Sequence, residues 1–173
     1  SGGSSTTNDL ALIRYFADGE LDTSFHTDGK AIHGVGADDD RLHAIALQTD
    51  GKIIGAGRSK FNNIDFVVAR FRTDGSLDTA FHTDGKLNTE VRDGTDIARA
   101  VILQTDGKIL VGGYSWWFSR FNFTVARYNT DGTLDATYNQ DGKQVLLMST
   151  DDSGIMSLAL QTDGNVLATG SVF

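Results

Sequence analysis

Three arginines stand at a matched distance from three aspartates: Arg14 with Asp22, Arg70 with Asp78, and Arg127 with Asp135, eight residues apart each time. A guanidinium fork fits a carboxylate, and this spacing across a turn lets the side chains meet on adjoining strands. A catalytic Arg–Asp pair has no reason to recur three times, so the pairs read as structural ion pairs of a repeated unit. Gln48, Gln104 and Gln161 sit beside tight turns and are read as structural too.

Other residues offer ligand chemistry. The acidic stretches Asp38, Asp39 and Asp40, then Asp93 with Asp96, then Asp151 and Asp152, carry oxygens of the kind a hard cation such as calcium takes. Their spacing is irregular and matches no calcium loop, so the expectation is solvated loop charge and no cofactor, with calcium the cation to test. Trp116-Trp117-Phe118 is the sharpest irregularity, because the matching stretch Ser59-Lys60-Phe61 has no Trp. It is expected in the loop between the second and third strands of its unit. Successive side chains on a strand alternate, so three consecutive aromatics cannot all turn inward. They form the candidate ligand-binding surface, suited to sugar stacking or a protein contact, with packing over a sheet edge or subunit seam as the competing reading.

The histidines are His26, His33, His43 and His82. His26 and His82 are equivalent positions, and the third unit has Asn139 there, so no metal trio is expected. No G-x-S-x-G, Walker-type loop or H-E-x-x-H occurs, and the chain is read as a non-enzyme.

Composition narrows the partners. The net charge of −8 argues against nucleic acid, which needs clustered Lys and Arg, and against anionic membrane surfaces. No apolar run approaches the roughly 18 residues of a spanning helix, so membrane insertion is not expected. No Cys is present, which excludes disulfides and thiolate metal sites. The opening Ser-Gly-Gly-Ser-Ser-Thr-Thr reads as part of a flexible lead over 1–8, and the absence of Met at its start points to a processed or excised product.

The elements that position these residues are legible from repetition. DLALIRY (9–15), DFVVARF (65–71) and NFTVARY (122–128) are one segment written three times, with a period of 56 and then 57 residues. Repeats of this length bury their apolar surface against neighbouring copies. Units of about 9–64, 65–121 and 122–173 follow. Asp-Gly recurs three times per unit, with one stray at Asp93-Gly94, and between apolar runs it is a hairpin signal. Four strands fit the second unit, near 43–47, 52–57, 65–71 and 86–91. Phe66-Val67-Val68-Ala69 and Ile109-Leu110-Val111 are apolar on both faces, which suits a sheet covered on both sides. The fold class is therefore all-β, with β-propeller-type repeats, and a β-sandwich is the alternative.

The phase of the repeat matters as much as its number. The chain opens on strands three and four, runs through two whole units and closes on strands one and two. Half, two wholes and half make three four-stranded blades, fewer than the roughly four to eight of a typical propeller. Either the chain is an excerpt of a larger propeller or a second chain completes six blades. The homodimer is favoured.

The unit D/N-F-x-x-A-R-x-x-x-D-G-x-L-D-x-x-F, then D-G-K, then L-Q-x-D-G-K-I, resembles the delta-60 repeat of large bacterial surface and secreted proteins. The chain departs from it at Phe25-His26, Phe81-His82 and Tyr138-Asn139, where that family has Phe-Gly. The resemblance implies a propeller-like β-repeat of an exported bacterial protein, extracellular or at the cell surface, without catalytic residues. The function expected is a non-catalytic binding or adhesion module offering loops to a glycan or protein. A purely structural spacer is the alternative, followed by a carbohydrate-active enzyme with axial carboxylates.

Overall fold

The computed structural model describes residues 8–35 and 39–172, so all of the lead expected over 1–8 except Asn8 falls outside it. The described residues form twelve strands, and no helix is long and apolar enough to cross a membrane. β1 (Leu10–Ile13) and β2 (Lys30–His33) make a two-stranded sheet. β3 (Arg41–Leu47), β4 (Ile53–Lys60), β5 (Ile64–Phe71) and β6 (Lys86–Thr89) make a four-stranded one. A second four-stranded sheet follows from β7 (Asp96–Leu103), β8 (Ile109–Trp117), β9 (Arg120–Tyr128) and β10 (Lys143–Leu146). β11 (Ser153–Leu160) and β12 (Val166–Val172) close as another pair. Strands pair antiparallel in chain order, so the fold is all-β. Its four-stranded unit is complete twice and halved at either end.

The turns explain the spacing. In the link from β3 to β4, Gly51 has φ 82° and donates its N–H to the Gln48 carbonyl at 2.9 Å, while Asp50 Oδ1 accepts from Lys52 N at 3.1 Å. The second Asp-Gly of each unit does a different job. Phe25, Phe81 and Tyr138 carbonyls accept from Gly29, Gly85 and Gly142 at 2.8, 2.9 and 2.7 Å, closing a five-residue turn rather than a hairpin. Within that turn His26, His82 and Asn139 take left-handed φ of 55°, 54° and 46°. That backbone conformation favours glycine, which gives a physical meaning to the Phe-Gly departures.

Strand one carries a bulge in every unit, at His43, Arg99 and Met156. Gly57, Gly113 and Gly170 lie opposite, where a Cβ would overlap the carbonyl oxygens of Arg41, Ile97 and Gly154. The bulge therefore requires a glycine on strand two.

The sheets stack face to face, and each junction has its own apolar core. Leu10, Leu12 and Ala31 of the first sheet meet Val67, Ala69 and Phe71 of the second. Ile54, Phe66 and Val68 meet Val101, Ile109, Val111 and Tyr128 of the third. Phe123 and Val125 meet Ile155 and Leu158 of the fourth. Covering both faces of the middle sheets is what their continuous apolar runs required.

Candidate functional site

The aromatic triplet is placed by a tight turn. Trp117 pairs with Arg120, so Phe118 and Ser119 alone make the link from β8 to β9, with φ of 52° and 62°. Two left-handed residues in succession are the mark of a type I′ hairpin, which matches the twist of its strands. The corresponding link in the second sheet uses Phe61, Asn62 and Asn63 between Lys60 and Ile64. The Trp residues accordingly lie on strand β8, not in a loop, because that hairpin is lengthened by a strand residue on each arm.

Alternation then sorts the rings. Trp116 and Phe118 are exposed, while Trp117 is half-buried against the core between the second and third sheets. Trp117 and Phe118 stack with ring centroids 4.2 Å apart, and Trp116 meets Phe121 edge-on at 5.0 Å. Arg92 from the connector between β6 and β7 lies over the Trp117 ring at 4.8 Å, a cation–π contact that fixes the indole.

These rings form one wall of an open groove of about 650 Å³. The other wall is the connector Glu90, Val91, Arg92 and Asp93, with Lys143 at the end. Lys143 Nζ donates to the Glu90 carbonyl at 3.2 Å. The groove joins flat aromatic faces to carboxylates and cations, a combination that suits a polyhydroxylated ligand.

The carboxylates around it are not alike. Buried Asp96 accepts from the Val91 and Arg92 backbone at 2.7 and 3.1 Å and so shapes the connector. Burial raises its pKa, as it does that of Asp65, which is pushed up to about 6 by burial and then by the charges of Asp96 and Glu90. Asp40 holds the preceding connector in the same way, accepting from Val35 N at 2.7 Å and Ser59 Oγ at 2.5 Å. Asp39 pairs with Arg41 at 2.9 Å and also with Arg58. Asp152 Oδ1 accepts from Phe121 N at 2.7 Å, and Asp151 N donates to Ser149 Oγ at 2.9 Å. Asp93 lines the groove, and Asp38 lies outside the described residues. Among the described residues, no three His, Cys, Asp or Glu side chains gather as a metal site.

The recurrent Arg–Asp pairs are formed: Arg14 to Asp22 at 2.6 Å, Arg70 to Asp78 at 2.8 Å and Arg127 to Asp135 at 2.8 Å. Each guanidinium also lies over an aromatic ring of its own unit, at 4.6 Å from Phe25, 4.8 Å from Phe81 and 4.8 Å from Tyr138. Asp135 is held well below the usual carboxylate range, first by the Thr137 hydroxyl and then by Lys108 and Arg127. Lys52 and Lys108 reach Asp78 and Asp135 at 3.1 Å each. None of these ions lines the groove.

Sequence reasoning missed Glu90, Arg92, Lys143 and Phe121 as neighbours of the aromatic triplet. Arg92 had a usable signal. It follows Val91 by one residue and precedes Asp96 by four, the span that Asp96 closes by capping both backbone amides.

Comparison with known proteins agrees with this architecture. No curated protein matches the chain. A family model described as "Domain of unknown function (DUF5122) beta-propeller" matches residues 2–25, 48–81 and 104–138, together just over half of the chain. The matched stretches end at Phe25, Phe81 and Tyr138, the equivalent residues whose carbonyls close the five-residue turns. With its repeated antiparallel four-stranded sheets, the chain belongs to this β-propeller family of unknown function.

Proposed function

We propose that the chain is a non-catalytic binding module of an exported bacterial protein, and that it takes a glycan in the groove at the β8–β9 hairpin. The observation that carries this is the hairpin tip itself: Trp116 and Phe118 are exposed beside Glu90, Asp93 and Arg92. Sugars bind by laying a C–H face on an aromatic ring while their hydroxyls bond to charged groups around it. Among the described residues, the matching hairpin of β4 and β5 exposes Phe61 but carries no Trp, which favours a site over a requirement of the fold.

The test is a glycan array probed with the wild type and with Trp116→Ala. Specific binding lost in the variant, with its thermal melt unchanged, supports the reading. An array without a hit, paired with capture of a defined protein ligand that Trp116→Ala abolishes, would move the site to protein recognition. A second reading, that the repeat serves assembly alone, is favoured by the apolar faces of the terminal sheets. An intact wild type that binds neither glycan nor protein would leave that one.

A further inference from the structure

We propose that two copies of this chain close into one six-bladed ring, in which β12 of each copy pairs with β1 of the other.

The argument rests on equivalent positions. Tyr15 is 61% exposed, whereas its counterparts Phe71 and Tyr128 are both at 0%. Leu167 is 54% exposed where Ile54 and Leu110 are buried, and Ile13 is 52% exposed where Ala69 and Ala126 are buried. Each of these residues has a strand or a sheet beside it in the interior units. Among the described residues β12 and β1 each pair on one side only, and they are strand two and strand three of one unit. Each is the partner that the other lacks.

The interior sheets supply the register. β4 pairs with β5 from Ile53 opposite Phe71, and β8 with β9 from Ile109 opposite Tyr128. Carried to the ends, the rule sets Val166 opposite Tyr15 and Ala168 opposite Ile13.

The junctions between sheets give a second, independent set of contacts. Arg14 Nη1 donates to Thr73 O at 2.8 Å and Arg70 Nη1 to Thr130 O at 2.7 Å. His26 N donates to Asp74 O and His82 N to Asp131 O, both at 2.6 Å. The rings of Phe25 and Phe81 cover Gly75 and Gly132 so closely that a Cβ would meet them at 2.7 and 3.0 Å. In the same series the third sheet offers Arg127, Asn139 and Tyr138, and the first sheet offers Ala17, Asp18 and Gly19. Gly19 is exposed, with nothing within 4 Å of where its Cβ would stand. A second copy brings Tyr138 over it.

The number of copies follows from geometry. The described residues of one copy supply the strands of three blades, and propellers close with about four to eight, so two such copies fit and three do not. Two-fold closure leaves no sheet edge open at either seam.

The test uses the absence of cysteine from the chain. Native mass is expected at twice 18.6 kDa. A chain carrying Ala168→Cys with Ile13→Cys is expected to oxidise to a covalent dimer within minutes. Ala168→Cys with Ala11→Cys, two residues out of register on the same face, should do so at least tenfold more slowly, since diagonal neighbours lie beyond disulfide reach. Leu167→Lys, which changes an exposed residue, should give a folded monomer by circular dichroism and native mass. A wild-type chain that stays monomeric as concentration rises, an open polymer, or equal rates for the two cysteine pairs would overturn the proposal.

Discussion

The two four-stranded sheets and the two terminal pairs are built from the same repeat, yet their equivalent residues live in different surroundings. In the middle of the chain, Phe71 and Tyr128 are sealed between a strand beside them and a sheet on each face. At the start, Tyr15 follows the same repeated Arg but stands open to water. Packing in a stacked repeat is therefore a property of position in the stack, because each unit buries its apolar surface against the next. The contrast makes substitutions at matched positions informative.

The largest effect is expected at Phe71. Truncating a fully buried aromatic removes its transfer energy and leaves a cavity, so Phe71→Ala should cost about 3–5 kcal/mol in denaturant unfolding, at any protein concentration. Tyr15→Ala should cost little in dilute solution. Its cost should grow as concentration rises and the ring closes, since a partner that binds only the folded state adds stability by mass action. Equal losses at all concentrations would erase the distinction between middle and end.

The Arg–Asp pairs give the next effect. Arg70 and Asp78 are both buried, and Lys52 adds a third charge at 3.1 Å. Burial raises the pKa of Asp78, but the hydrogen bonds from Lys52 and Ala80 and the charge of Arg70 more than offset it. Asp78→Asn strands the buried guanidinium and should cost about 3 kcal/mol in chemical denaturation. Asp22→Asn should cost less, because the Arg14 side chain is partly solvated. A larger loss at Asp22 than at Asp78 would show that burial does not set the worth of these pairs.

How much of this was legible beforehand follows from what repeats and what does not. The strands, their phase and the Arg–Asp spacing recur, and recurrence reveals a structural role even in one sequence. The five-residue turn was hidden, because Asp84-Gly85 carries the same two letters as Asp50-Gly51, and only the bond from Gly85 N to Phe81 O separates their uses. The groove was half visible. Its Trp residues stood out by type, but Glu90, Arg92 and Lys143 come from distant positions that the stacking of two sheets brings together. Local pattern carries no information about which connector will lie over a given ring.

Asp65 carries the third effect and its pH dependence. Its pKa rises from the ordinary 3.8 to about 6 in the folded chain. Below the ordinary value, folded and unfolded chains are both protonated at this site and folding carries no penalty. As pH climbs through about 6 the folded chain must hold a partly buried anion near Asp96 and Glu90, so stability falls across that window. Asp65→Asn should remove the fall and stabilise the chain at pH 7–8 by roughly 2 kcal/mol. Parallel melting-temperature profiles for wild type and variant between pH 4 and 8 would contradict the assignment.

The smallest effect concerns the left-handed residues. His82, at φ 54°, holds a conformation that costs an L-residue about 1 kcal/mol, and its N–H is tied to Asp131 O at 2.6 Å. His82→Gly keeps that backbone bond and relieves the conformation, while the freer unfolded chain takes back part of the gain. A net rise of about 0.5 kcal/mol is expected in denaturant unfolding. Asn139 should respond the other way. Asparagine visits the left-handed region at little cost, and here its Nδ2 donates to Lys143 O at 2.7 Å, a bond that glycine cannot make. Asn139→Gly should therefore be neutral or slightly destabilising. A gain at Asn139 matching that at His82 would mean that backbone strain alone governs this turn, and that the side-chain bond of the third sheet contributes nothing.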